Sequence, residues 1–340
     1  MLITYSYTRI KLSVKATTMT NASTPAADDL QKRFAHNNPF LMEGAIGTRL
    51  SGEYGLSADT SLALAVHVYT EPGRAALGDI YTQYIAVAGA YGLPFLANTP
   101  TRRVNRERAL SSPYGESAIA DNVAFLRSLA PSGTAPVFVG ATLGCKGNAY
   151  TGEGCLPEEE ALRFHAWSVE RFVRADADYL FAGLMPTLPE AIGLAKACAA
   201  TSTPYIISFT LRSDGRLVDG TILAEAIRRI DAAVDRPPLG YMTNCIHSAL
   251  LAEGLSRPYN NDAAIRDRFL GIQANASRLP ADKLDGSATV FTSDPQDLAA
   301  ETAKLRQWFE PKILGGCCGT DTASLAALAG LLCGKGEGRI

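Results

Sequence analysis

The sequence predicts an α/β fold, a (β/α)8 TIM barrel in a single domain. Three observations carry this. Eight short, near-continuous apolar runs recur along the chain, and most are followed by a longer amphipathic segment. Buried parallel strands alternating with covering helices give that pattern. The eight units together span about 300 residues, the size of one such barrel. A doubly wound open sheet is the competing arrangement. It favours a glycine-rich phosphate turn after an early strand. Here "EGAIGTRL" has Gly44 and Gly47 but no G-x-G-x-x-G.

The elements follow in order. "FLMEGAIG" (40–47) reads as the first strand. Residues 78–92 have helical periodicity, with Ile80, Tyr84, Val87 and Tyr91 on one face. "LPFLANTP" (93–100) is the second strand, 116–130 a helix and "PVFVGATLG" (136–144) the third strand. Residues 157–177 open with Pro and acids, favourable in a first helical turn. "DYLFAGLMP" (178–186) is the fourth strand, with a helix over 188–200. "PYIISFTL" (204–211) precedes a helix over 220–234, and "PLGYMTNCI" (238–246) precedes a less regular stretch with "DAAIRDRF" (262–269). "FLGIQANA" (269–276) and "KILGGCC" (312–318) are the last two strands, followed by helices over 294–310 and 321–333.

Residues 1–35 lack an apolar core followed by a cleavage site, and read as a poorly ordered extension with Met19 as an alternative start. Residues 36–335 then form the domain. Net charge is −2, with 32 basic and 34 acidic residues, so no broad basic field points to nucleic acid. The one basic cluster, "TRRVNRER" (101–108), fits a solvated loop or a site for an anionic group. No run of about 18 apolar residues predicts a membrane span. Seven cysteines without a secreted-framework spacing fit a reducing cytoplasm.

The cysteines carry the chemistry. "GGCCGT" (315–320) places Cys317 and Cys318 side by side at the end of the eighth strand. Neighbouring strand side chains point to opposite faces, so two sulfurs aimed at one point need a bent backbone, which glycine permits. Cys245, in "MTNCI", ends the sixth strand. Strands six and eight share one mouth, where barrel active sites lie. Three converging thiolates suit zinc and leave one position open. Zinc with three thiolates carries −1, a poor electrophile for water but a centre that keeps a bound sulfur nucleophilic. That points to activation of a thiol substrate. A cysteine nucleophile and a non-catalytic zinc or redox sensor are the competing uses. Cys198 and Cys333 lie on predicted helices and read as buried small hydrophobes. Cys145 and Cys155 bracket the loop after strand three, as incidental, paired or site-lining thiols.

At these residues the chain resembles the homocysteine S-methyltransferase family. "EGAIGTRL" (43–50), "ISFTLRSDGRLVDGT" (207–221), "TNC" (243–245) and "GGCCGT" (315–320) carry the match, which spans roughly 38–333. The resemblance implies a (β/α)8 barrel with one Zn²⁺ per chain on Cys245, Cys317 and Cys318. It implies methyl transfer to the thiol of homocysteine, giving methionine. The chain has no room for the folate and cobalamin modules of the cobalamin-dependent enzymes. A small onium donor is therefore implied, S-methylmethionine, S-adenosylmethionine or betaine, with the first two favoured.

Two departures stand out. Glu43-Gly44 replaces the family's usual Asp-Gly, and Gly183 stands where the family has a glutamate that helps hold the acceptor's ammonium. Glu43 is accordingly the expected catalytic residue. Glu43, Gly44, Asn98, Asn244 and Asn275 are the expected substrate contacts. Tyr54, Tyr114 and Tyr150 are candidate aromatic faces for a cationic donor. His247 reads as structural and Asp214-Gly215 as a turn. The expected partners are a small thiol and a methyl donor, with no nucleic acid and no membrane; a homo-oligomer is left open.

Overall fold

The computed structural model describes residues 24–130, 135–280 and 290–334. Eight parallel strands close into a barrel in sequence order, as expected. They are β1 (Phe40–Met42), β2 (Phe95–Asn98), β3 (Val137–Leu143), β4 (Tyr179–Met185), β5 (Tyr205–Phe209), β6 (Gly240–Ile246), β7 (Phe269–Ala274) and β8 (Ile313–Gly316). β1 closes the ring by pairing Leu41 with Leu314 of β8. Each predicted strand contains the observed one. Most predicted ends run further because residues such as Ala45, Leu211 and Ala276 are also apolar, yet the chain turns there into mouth loops.

Inward residues fill the barrel as one cluster that includes Phe40, Met42, Leu96, Phe138, Phe181, Met242 and Ile313. Outward residues such as Leu41, Val139 and Ile207 pack under the helices in a second, larger core. This division follows from alternation along each strand. A short helix, Gly47–Tyr54, follows β1, and the long helix before β2 runs Glu71–Tyr91, starting earlier than the predicted 78–92. Thr70 caps it by accepting from Gly73 N, and Pro72 sits in its first turn. Its buried face includes the expected Ile80 and Tyr84, while Val87 and Tyr91 are half-buried.

The expected N-terminal extension needs correction. Residues 1–23 lie outside the described residues, but Pro25–Ala35 is a helix. Thr24 accepts from Ala27 N, Pro25 opens the first turn, and Ala27, Leu30 and Phe34 form a buried stripe. Phe34 stacks on Phe40 with ring centroids 4.5 Å apart, and Leu30 joins the barrel's inner cluster. The helix therefore plugs the N-terminal end of the barrel, opposite the mouth.

Two irregularities shape the mouth. The β4–β5 register shifts between Ala182 and Met185, and the β6–β7 register shifts between Asn244 and Ile246. At these points Leu184 has φ +56° and Cys245 φ +63°. Non-glycine residues adopt that region only where surrounding structure over-determines it.

Candidate active site at the barrel mouth

Cys245, Cys317 and Cys318 meet at the C-terminal mouth. Their sulfurs all lie within 4.8 Å of one another. Cys245 Sγ is 3.8 Å from Cys318 Sγ, and Cys317 Sγ is 4.0 Å from Cys318 Sγ. The unusual backbone at Cys245 swings its sulfur out of regular strand alternation. It lies in the β6–β7 irregularity, braced on both sides. Tyr150 Oη donates to Cys245 Sγ at 3.3 Å and Asn275 Nδ2 at 3.4 Å.

The glycines of "GGCCGT" work differently from expectation. Gly315 and Gly316 have ordinary φ; they serve close packing. A Cβ on Gly316 would lie 2.1 Å from Thr320 Oγ1. That hydroxyl donates to Cys317 O at 2.7 Å and accepts from Ala45 N at 3.1 Å, so it staples the cysteine turn to the chain after β1. Gly319 does supply the left-handed bend, with φ +79°. Cys317 N donates to Ala274 O at 2.7 Å and Ala276 N to Cys318 O at 3.0 Å, which ties the turn to β7.

Electrostatically the three thiols act as one group. Hydrogen bonding from the Cys317 and then the Cys318 thiol holds Cys245 well below the usual thiol range. The reciprocal bond to Cys245 pushes Cys317 up and Cys318 up to about 12. Three adjacent thiolates repel, so full deprotonation needs a cation between them. The geometry fits one. Tetrahedral zinc with Zn–S near 2.3 Å sets sulfurs about 3.8 Å apart.

The remaining expected residues divide. Glu43 is buried just beyond β1. Its carboxylate accepts from Asn98 N at 3.0 Å, Asn98 Nδ2 at 2.8 Å and Gln273 Nε2 at 3.1 Å. Burial raises its pKa to about 7 against these hydrogen bonds, which lower it. Asn98 thus orients Glu43, and its own Oδ1 accepts from Tyr179 Oη at 2.8 Å. Asn244 Oδ1 accepts from Leu184 N at 3.1 Å and Ser208 Oγ at 2.7 Å, bracing the β4 irregularity. Asn275 is committed to Cys245, and its Oδ1 accepts from Ser277 N. A Cβ on Gly44 would point at Tyr84 Oη, 2.7 Å away. That position faces the helix layer, not the mouth.

Of the three tyrosines, Tyr150 reaches the thiols. Tyr54 donates to Asp79, and Tyr114 stacks on Tyr69 at 3.8 Å. His247 Nδ1 accepts from Ala249 N and caps the helix that follows β6. Gly215 has φ +76° and takes the expected turn. Cys198 is fully buried, and Cys333 Sγ donates to Tyr91 O. Gln273 escaped sequence reasoning. Its signal was a polar residue inside the apolar run "FLGIQANA".

A cavity of about 330 Å³ lined by Tyr150, Thr210, Arg212, Ser213, Ile246 and Leu250 among others shares Tyr150 with the thiol cluster. That volume suits an amino-acid-sized ligand. Thr210 Oγ1 is buried with no hydrogen-bond partner among the described residues, so the cavity wall holds an unspent polar group.

The sequence profile described as "Homocysteine S-methyltransferase" matches residues 40–332. The chain belongs to the homocysteine S-methyltransferase family. It is accordingly a methyltransferase. Its fold is similar to crystal structures of the homocysteine methyltransferase MmuM from Escherichia coli. The oxidized form is 20% identical with a TM-score of 0.67, covering 90% of this chain and 99% of that one. The metallated form is 22% identical with a TM-score of 0.65, covering 91% and 100%. No curated relative matches the chain by sequence. Among the described residues no helix is long and apolar enough to cross a membrane.

Proposed function

We propose that this methyltransferase is zinc-dependent and moves a methyl group from a small onium donor, S-methylmethionine or S-adenosylmethionine, to the thiol of homocysteine, giving methionine. The observation that carries the reading is the 3.8 and 4.0 Å sulfur spacing of Cys245, Cys317 and Cys318, which matches the edge of a tetrahedral thiolate site. Zinc held there would act as a Lewis acid that keeps the acceptor sulfur deprotonated and, in a thiolate-rich centre, nucleophilic at neutral pH. Seven free cysteines fit a reducing cytoplasm.

The protein's own residues then position and shield. Tyr150 and Asn275 hold Cys245 in place. In an in-line displacement a new S–C bond forms as the donor's S–C bond breaks, and the sulfonium leaves as a neutral thioether. The main requirement is alignment. The cavity beside Tyr150 offers an aromatic ring to the cation and the Thr210 hydroxyl to a carboxylate, with Arg212, ion-paired to Asp214 at 2.9 Å, on the same wall. Glu43 is the acid assigned to the acceptor's ammonium. An ammonium favours its ionised form, so acceptor binding strengthens as pH rises through about 7.

A second reading keeps the chemistry and changes the acceptor. The side-chain position of Gly183 faces the Phe181 ring and the Thr142 methyl, and its three nearest atoms are all carbon. An acceptor without an ammonium suits that wall. The test is a panel of thiols with each donor, following methylated product. Methionine formed from homocysteine supports the first reading. Methylation of another thiol alone supports the second, and methylation of none refutes both.

A further inference from the structure

We propose that Cys145 and Cys155 are a peroxide-responsive dithiol that locks the loop carrying Tyr150, separate from the three thiols at the mouth. The loop 145–155 follows β3, and one carboxylate closes its base. Glu190, fully buried, accepts from Lys146 N at 2.7 Å through one oxygen and from Leu156 N at 3.0 Å through the other. His165 Nε2 lies 3.0 Å from the same carboxylate and fixes it. The residue before each clamped amide is a cysteine, and the two ends of the loop pack closely there: a Cβ on Gly147 would lie 2.5 Å from Cys155 N. Bonds across the loop hold that base: Asn148 N donates to Glu153 O at 2.8 Å and Gly152 N to Asn148 O at 2.9 Å.

The environment suits an attacking and a resolving thiol. Cys145 is buried and reached only through a small recess that it lines with Arg102, Arg103 and Lys146, and Cys155 is half-buried. The neighbouring Cys155 thiol holds Cys145 below the usual thiol range against burial and Glu190, which raise it, and Arg102 and Arg103 add to the lowering; Cys145 itself pushes Cys155 up in turn, and Cys145 Sγ lies 3.4 Å from Gly147 O. Low-pKa thiols beside cations are the ones that oxidise selectively.

The step balances with a hydroperoxide as oxidant. The Cys145 thiolate attacks one peroxide oxygen. An S–O bond forms, the O–O bond breaks, and the departing hydroxide takes a proton to leave as water. Cys155 sulfur, losing its proton, attacks the sulfenic sulfur; the S–S bond forms, the S–O bond breaks, and a second water leaves. Two thiols and one hydrogen peroxide give one disulfide and two waters. The new bond of about 2.05 Å draws the loop's two ends together. Tyr150, midway along, has its hydroxyl 3.3 Å from Cys245 Sγ, so the lock is felt at the metal site.

The chemical step stands independently of methyl transfer; its effect at the mouth rests on the proposed zinc site. The test titrates zinc-loaded protein with hydrogen peroxide, alkylates remaining thiols after metal removal, and maps cross-linked peptides by mass spectrometry. The rate at which a chelator withdraws zinc is read in parallel. The expected result is a Cys145–Cys155 linkage at doses that leave Cys245, Cys317 and Cys318 alkylatable, reversible by dithiothreitol. Zinc withdrawal should change several-fold in wild type and stay constant in Cys155→Ser and in Cys145→Ser. Oxidation of the mouth cysteines first, or no 145–155 linkage, overturns the dithiol. Linkage with unchanged zinc withdrawal overturns the lock.

Discussion

Replacing Glu43 by glutamine isolates the cost of burying a charge at the mouth. Glu43 is 6% exposed and its pKa is raised to about 7 from 4.5, chiefly by burial. The native state therefore keeps a proton that the unfolded chain releases between pH about 4.5 and 7. Stability from this group is fully present below pH 4.5 and is lost as pH rises through about 7. Each tenfold displacement of the proton equilibrium is worth about 1.4 kcal/mol, so the loss comes to about 3 kcal/mol. The glutamine side chain of the variant cannot ionise and does not carry this dependence. Its amide does set a donor against one of the Asn98 or Gln273 donors, a cost of about 1–2 kcal/mol that is the same at every pH. The assay is chemical denaturation of wild type and Glu43→Gln at about pH 4.5 and about pH 8 in metal-free buffer. The stability difference between the two proteins should shift by about 3 kcal/mol in favour of the variant at the higher pH. A difference that stays constant across this range refutes the buried-charge argument.

Other outcomes follow from the same contacts. Cys245→Ser removes one of three converging sulfurs and should abolish zinc retention and methyl transfer together, measured by metal analysis and product formation. Asn275→Ala deletes an N–H donor to Cys245; zinc affinity should fall about 10–100-fold in competition with a chromophoric chelator, with circular dichroism unchanged. Gly316→Ala forces a methyl onto Thr320 Oγ1; an overpacking cost of about 1–3 kcal/mol should appear in the unfolding midpoint, with weakened zinc binding because the cysteine turn shifts.

Much of the fold was legible because parallel strands are apolar on both faces and stand out as runs. All eight runs, from "FLMEGAIG" to "KILGGCC", contain a strand. The meeting of Cys245 with Cys317 and Cys318 was legible too, since both segments end strands on one mouth. The helix Pro25–Ala35 was missed because its Ser/Thr/Ala-rich approach outweighed the Thr24 cap and the Leu30–Phe34 stripe. The geometry of the site was less legible. Left-handed φ at Cys245 and Leu184 arises from register shifts between strands, which no local pattern encodes. For the same reason Asn244 and Asn275 looked like mouth residues facing a ligand, yet their side chains brace Leu184 and Cys245. Gly44 looked like part of a binding turn, but the constraint on it is the Tyr84 hydroxyl behind it.

The most direct measurement of the central claim is zinc content against methionine formation in one titration. Metal-free protein, given homocysteine and S-methylmethionine, is reloaded with zinc in steps. Activity should be absent at the start, rise in proportion to bound zinc and saturate at one zinc per chain; Cys317→Ser should neither retain the metal nor recover activity. Methionine formation by the metal-free protein, or by Cys317→Ser at the wild-type rate, would contradict the account.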